Sequence, residues 1–495
     1  MSEIAFKNIP QNLRTPLFFA EVDNSRANTA TEIQRTLILG QKTASGTGSQ
    51  DTAYLCSGSN DAATYAGVNS VLAASVAAYR QADPSGELWI GVLADAGGAI
   101  AATGTITFTG APTANASFYL YLGGVRYVLP VTTTMTPTTL AAALVALINA
   151  DPTCPVTASS AAGVVTLTAD SLGPLGNDYP IAVSFFGIPG GEPLVPGLTT
   201  TIVQMASGAT APTLTNLLAA LGDQTFDFIV CPYNDTTTLN ALQAFLNDTA
   251  GRWSYSAQLY GHVFTSKTGT LSALVTFGDG RNDQHASCLG INGSPTPAWY
   301  VAAVKAGAVA ASLRNDPGQP LQTLALPGVI APPLASRFQQ TDRNTLLYNG
   351  ISTFTVADDG TVMLENVITT YQKNAFGAAD NSYLEVETMF TLMAVLRRLR
   401  TYVTSNFARC KLADNGTPVT AGSNTVTPNI VRAGLIAQYN EMEELGLVQD
   451  ADVFGNELVV QRNALNPNRL DVLFPAILID QLRILAVLAQ FRLQV

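Results

Sequence analysis

Histidine is almost missing from this chain: there are two in 495 residues, His262 and His285. That leaves little material for a Ser/His/Asp triad or a histidine-rich metal centre. The five cysteines, Cys56, Cys154, Cys231, Cys288 and Cys410, are odd in number, widely spaced and without a CxxC pair. They suggest buried free thiols rather than a disulfide framework or a zinc knuckle. Charged residues make up only 12% against 47% hydrophobic. The formal charge of −11 and the absence of any basic run argue against direct nucleic-acid binding, which needs clustered Lys and Arg to neutralise phosphate.

Catalytic signatures are also missing. No GxSxG, HExxH or GxGxxG occurs. Gly40-Gln41-Lys42-Thr43 echoes a phosphate loop, but Arg35 stands where the first glycine is required and Lys42 does not follow a glycine. The polar run from Gly278 to His285 lacks the full spacing of a calcium loop and reads as structural. No catalytic, cofactor or metal residue is assigned. The N-terminus has no basic segment followed by an apolar one, so synthesis in a reducing cytoplasm is expected. The apolar tail after Ala476 is interrupted by Asp480, Arg483 and Arg492, which argues against membrane insertion.

What is present is concentrated at the two ends. Ile4 to Val22 carries β-branched and aromatic residues, with Ile4, Phe6, Ile9, Leu17, Phe18 and Phe19 as the apolar positions, punctuated by Pro10 and Pro16. At the other end Leu482, Ile484 and Ala486 alternate, followed by Phe491, Leu493 and Val495. Both ends read as extended arms, residues 1–26 and 481–495, with no core of their own. Such strands are suited to addition onto another sheet, where main-chain hydrogen bonds supply affinity and alternate side chains supply register.

Between the arms the pattern is α/β and α+β, in several domains. Arg35–Gln41 and Glu87–Leu93 read as strands around an Ala-rich helix at Asp61–Gln81, a βαβ unit with a parallel pair. The alternation resumes with helices at Leu214–Leu221, Thr237–Asn247 and Ala298–Leu313 and strands at Phe226–Cys231, Gln258–Phe264 and Ala286–Leu289. Residues 27–98 and 208–345 are therefore expected to form one α/β middle domain.

Residues 99–207 change texture: Thr, Gly and Pro become frequent and antiparallel strands alternate around turns at Gly123-Gly124 and Ala162-Gly163. One helix, Pro137–Ala150, is capped by Thr136. This β-rich stretch reads as an inserted outer domain. Residues 346–480 read as an α+β domain, with strands at Leu346–Val356 and Thr361–Ile368 joined by Asp358-Asp359-Gly360 and a long helix at Leu384–Phe407. On that helix Arg397, Arg398 and Arg400 form a cationic stripe in an acidic chain. The stripe suits an acidic partner, or is a solvated face, or pairs internally with Glu385 or Glu387. A second helix is expected at Asn429–Leu445, with strands near Leu458–Gln461 and Leu470–Leu473.

Several short segments resemble a known family. Leu13-Arg14-Thr15-Pro16-Leu17-Phe18-Phe19-Ala20-Glu21, followed by Arg35 to Gly40, resembles the opening of tail sheath proteins from contractile-tailed bacteriophages of the Mu-like branch. The same likeness extends through Gly261-His262-Val263-Phe264, Arg281-Asn282-Asp283, Asn349-Gly350-Ile351-Ser352, Val367-Ile368-Thr369-Thr370-Tyr371 and Asn466-Pro467 to Phe474-Pro475. Their order along nearly the whole chain carries the resemblance.

The resemblance implies subunits that stack as helically arranged hexameric rings around a tail tube, joined by terminal arms that complete a sheet in a neighbour. Contraction then drives the tube through the host envelope. It also implies a subtilisin-like middle domain without catalytic function, an inner domain at 346–480 facing the tube, and baseplate and tail terminator proteins as further partners. The protein would be a virion component assembled in the host cytoplasm. Three alternatives stay open: the sheath of a pyocin-like or secretion-system particle, an enzyme built on the α/β layer, and a tube or capsid protein. The α/β middle speaks against the last.

Overall fold

The computed structural model describes residues 33–420 and 423–492. Ile4, Phe6, Ile9, Leu17, Phe18, Phe19, Leu493 and Val495 lie outside the described residues.

At the centre is an eight-stranded sheet. Its spatial order is Val362–Asn366, Ile351–Val356, Ala286–Ile291, His262–Thr268, Phe228–Val230, Thr36–Gln41, Leu88–Leu93 and Thr52–Leu55. The inner strands run parallel, and an antiparallel strand closes each edge. Thr36–Gln41 and Ala286–Ile291 are buried along their whole length, as expected for strands covered on both faces. One face is covered by helices Val71–Ala82, Ala298–Asn315 and the first half of Val386–Phe407. Ala298–Asn315 is rich in Ala and buried nearly all round, so it lies close to its neighbours: a Cβ on its one glycine, Gly307, would sit 2.7 Å from the carbonyl of Tyr79.

Several expectations from sequence shift in detail. The helix read at Asp61–Gln81 is broken into Ser59–Ala66 and Val71–Ala82, because Gly67 takes φ +95° and Ser70 starts a new helix by accepting from Ala73 N. The strand read from Gln258 starts only at His262, since Gln258 and Tyr260 have positive φ within a turn. Leu346 lies in the last turn of a helix, Gln340–Tyr348, rather than opening a strand. The turn at Asp358-Asp359-Gly360 forms as read, with Ala357 N donating to Thr361 O and Gly360 at φ +88°.

One boundary needs correction. Strand Ile351–Val356 pairs in parallel with Ala286–Ile291 and carries Val362–Asn366 on its other side. Both strands therefore belong to the central sheet, and no division falls at residue 346. A hairpin is local, but the sheet it joins is decided by which edge is free.

Residues 99–207 form two antiparallel sheets and a helix. Four strands lie in the order Leu198–Ala206, Thr103–Gly110, Val164–Ala169 and Val156–Ala161; three lie in the order Val125–Val131, Ala116–Leu122 and Ile181–Val183. Gly123-Gly124 and Ala162-Gly163 make their turns with positive φ, as read. Helix Pro137–Asn149 begins with a capping box at Thr136 and buries Leu140, Leu144 and Ile148. Its core is continuous with the second face of the central sheet: Ile106, Phe118 and Leu167 belong to the same cluster as Leu37, Ile229 and Trp299.

Candidate functional site

The last part of the chain packs around helices Pro428–Glu444 and Ala451–Glu457 and the hairpin Val459–Arg462 with Leu470–Leu473. Tyr439 stacks on Phe454 with ring centroids 3.7 Å apart, and Phe474 meets Phe454 edge-on. The hairpin strands pair only with each other among the described residues. A lone two-stranded sheet is marginal in water.

The chain then leaves this core. Gln449 N donates to Ile477 O and Ile479 N to Leu447 O, fixing the exit. Beyond it no strand forms among residues 481–492. Leu482, Ile484, Leu485, Val487, Leu488 and Phe491 are 71–86% exposed. Of the C-terminal arm positions read from sequence, Leu482, Ile484 and Phe491 thus stand in solvent. A contiguous apolar run held in water marks an interaction surface.

Arg483, inside this run, behaves differently. Its Nη2 donates to Glu385 Oε2 at 2.9 Å and to Glu387 Oε1 at 2.5 Å. Glu387 is fully buried and also accepts from Leu321 N. Burial pushes both carboxyls above their usual range, against the pull of the Arg483 charge. Sequence reading missed this cluster. The signal was an arginine at the start of the apolar tail and two glutamates at the start of a helix.

The arginine stripe expected on helix Val386–Phe407 is divided. Arg398 and Arg400 are exposed, but Arg397 is turned inward, its side chain 12% exposed. Arg397 Nη1 donates to Asp227 Oδ1 at 2.5 Å, and its guanidinium lies 5.6 Å from the centroid of the Tyr260 ring. The correction follows from helix geometry: Val386, Phe390, Met393 and Arg397 recur every three or four residues and share the face buried on the sheet. The internal pairing considered with Glu385 or Glu387 is made by Arg483 instead.

In an open parallel sheet the usual binding crevice lies beyond the strand ends where the order reverses, here next to Thr36–Gln41 and Phe228–Val230. That place is filled by protein. The buried Gln41 donates to Asp95 Oδ1 and to Leu172 O of the insertion, and accepts from Tyr233 Oη. Lys42 Nζ donates to Gly46 O and Gly48 O, closing its own loop.

Both histidines are buried. His285 is buried, hydrogen-bonded to Asp248 at 2.7 Å and stacked on Trp253. His262 is buried against Phe264, and burial drives its pKa well below the ordinary value. Asn282 Oδ1 accepts from Gln372 N and Lys373 N, so the 278–285 loop pins the segment that follows the central sheet. Cys56, Cys154, Cys231 and Cys288 are buried free thiols. Among the described residues no group of three or more His, Cys, Asp and Glu converges to hold a metal ion, and no helix is long and apolar enough to cross a membrane.

Comparison with known proteins gives the family. Residues 207–370 match the phage tail sheath protein central domain, and residues 378–492 match the phage tail sheath C-terminal domain. The first match ends beyond both strands that the sequence alone had assigned to the last domain. A Mu-like prophage FluMu tail sheath protein from Haemophilus influenzae is 37% identical over 490 residues, covering 99% of each chain. Solved structures similar to this one include a sheath tail protein of Desulfitobacterium hafniense, at 14% identity and TM-score 0.48 over 94% of this chain and 97% of that one. The anti-feeding prophage helical sheath in its contracted state gives 11% identity and TM-score 0.45, over 97% and 100%. With 37% identity across 99% of both chains, the protein belongs to the phage tail sheath family.

Proposed function

We infer that this structural sheath subunit polymerises with copies of itself, in stacked hexameric rings around a tail tube, and contracts to drive the tube through the host envelope for genome delivery. The observation that carries this reading is the apolar run Leu482–Phe491, solvent-exposed while strands such as Thr36–Gln41 and Ala286–Ile291 are buried along their whole length. The C-terminal arm residues Leu482, Ile484, Phe491, Leu493 and Val495 add to a sheet in a neighbour, and the N-terminal positions Ile4, Phe6, Ile9, Leu17, Phe18 and Phe19 do the same. The hairpin Val459–Arg462 with Leu470–Leu473 is the natural acceptor, because it is a two-stranded sheet that gains most from a third strand. At about 0.5–1.5 kcal/mol net per main-chain hydrogen bond, an arm of several bonds holds its neighbour while domains rotate.

Arg398 and Arg400 face the tube, which makes residues of the last third the inner side of the sheath. Baseplate and tail terminator proteins cap the polymer. The particle is assembled in the host cytoplasm and the subunit becomes part of the virion. The central layer is a subtilisin-like fold put to structural use, without catalysis: the buried His262 and the stacked His285 support this reading. The extended sheath is a kinetic trap held by tube and baseplate contacts.

Electron microscopy of the purified full-length chain tests the reading. Hollow cylinders are expected, and a protein that stays monomeric at high concentration would overturn it.

A further inference from the structure

The helix Val386–Phe407 belongs to two cores at once. Its first turns pack on the central sheet, with Phe390 stacked on Phe228 at 4.8 Å. Farther on, Val395 joins the cluster of Leu435 and Tyr439 in the last domain, with Leu399 and Tyr402 against it. Along the same helix, two ion pairs with buried carboxylates reach the start of the exposed C-terminal run and the residue that leads into the first strand of the central sheet.

At the first turn, Glu387 and the preceding Glu385 hold Arg483, where the exposed C-terminal run begins. Glu387 also takes Leu321 N, and Thr391 Oγ1 donates to Pro317 O, so the 317–321 segment is bound to the same turn. Ten residues along, about 15 Å at the rise of an α-helix, Arg397 holds Asp227. The other carboxylate oxygen of Asp227 accepts from Arg35 N at 3.1 Å, and Arg35 O accepts from Asp227 N. Arg35 is where the chain enters the central sheet from its N-terminal side. One helix thus carries the roots of both ends.

We propose that Val386–Phe407 is a strut that holds the roots of the two terminal arms at a fixed separation, with Arg483–Glu387 and Arg397–Asp227 as its joints. This rests on the reading that the arms link neighbouring subunits. In each pair the carboxylate is fully buried and the arginine largely so, so solvent screens neither strongly, and removing the arginine takes an ionic hydrogen bond from a desolvated carboxylate. A load applied through either arm reaches the same helix, and through it both cores. The arms then turn with the helix and not independently of each other.

The test uses the full-length chain with Arg483→Met, Arg397→Met and both together. Monomer melting shifts should add, because sites this far apart act independently on stability. Cylinder formation should not: each single variant should lower the yield by about tenfold or more, since breaking such a pair is strongly unfavourable, and the double variant should be no worse than the poorer single. Near-normal cylinders from both singles, or defects that multiply in the double, would overturn the strut. If the Met variants are insoluble, Arg483→Lys and Arg397→Lys keep the charge and lose the fork, and are read the same way.

Native-state amide exchange of the unmodified monomer gives an independent measurement. Amides of Leu37, Leu321 and Ile479 should open together with those of helix residues 390–397; a helix that opens alone overturns the proposal. Wild-type protein that forms no cylinders would count against the polymer reading, and the exchange experiment would still decide the strut.

Discussion

Tyr179 of the insertion meets Trp299 of the central helix edge-on, with ring centroids 6.2 Å apart and planes at 80°. Both side chains are buried. The insertion is therefore seated on the central layer, and its core continues beneath the sheet.

Replacing residues 99–207 by a short Gly/Ser linker should consequently yield insoluble protein, since it would expose Trp299, Leu37 and Leu217. This reverses what an outward decoration would allow. The milder Trp299→Ala should cost about 3–5 kcal/mol, read from the urea midpoint of the monomer. Soluble, cooperatively folding protein from the deletion would show the insertion to be an independent module.

Lys305 gives a pH signature. It is fully buried, donates to Thr265 O at 2.7 Å and Ser287 O at 3.2 Å, and burial lowers its pKa to about 7. The unfolded chain keeps this amine protonated up to about 10.4. Between these values the unfolded state binds more protons, so the Lys305 contribution makes stability rise with pH from about 7 to about 10.4 and stay flat below. Lys305→Met should remove that rise and raise the melting temperature most at pH 7 and below. A melting profile whose slope is unchanged in the variant would assign the effect elsewhere.

The arginines of the long helix should separate by mutation. Arg398→Glu with Arg400→Glu should leave monomer stability and contracted cylinders intact while reducing extended, tube-filled tails, because both side chains are exposed. Arg397→Glu places a second carboxylate against buried Asp227 and should give little soluble protein. Tube-filled tails at normal yield from the double variant would remove the tube-contact assignment.

Removing residues 484–495 keeps Arg483 and its carboxylates but deletes most of the exposed run. The product should be a soluble monomer with a melting temperature within a few degrees of the full chain that does not polymerise. Light scattering that reports normal growth would dismiss the C-terminal arm.

Much of this protein is written in local pattern. Thr136 announces a helix because its hydroxyl accepts from one of the first free amides, Pro137 because it has no amide to leave unsatisfied, and Asp358-Asp359-Gly360 announces a tight turn because glycine takes positive φ there. The apolar alternation after Gln481 is legible as an extended segment without a core of its own. These are interactions between residues a few positions apart, or properties of composition, and they survive without coordinates.

Tertiary structure decided the rest because those choices depend on partners far along the chain. Arg397 lies on a helical stripe whose apolar members are buried, and its charge is met there by Asp227, 170 residues away. Strand Ile351–Val356 could pair within a last domain or extend the central sheet, and the free edge at Ala286–Ile291 settled it. The placement of Tyr179 on Trp299, and of Arg483 on Glu387, followed from packing and desolvation rather than from any local preference. Sequence alone marked the C-terminal end as apolar without a core of its own; the folded structure decided that the apolar side chains from Leu482 to Phe491 stay in solvent while Arg483 is tied to Glu385 and Glu387.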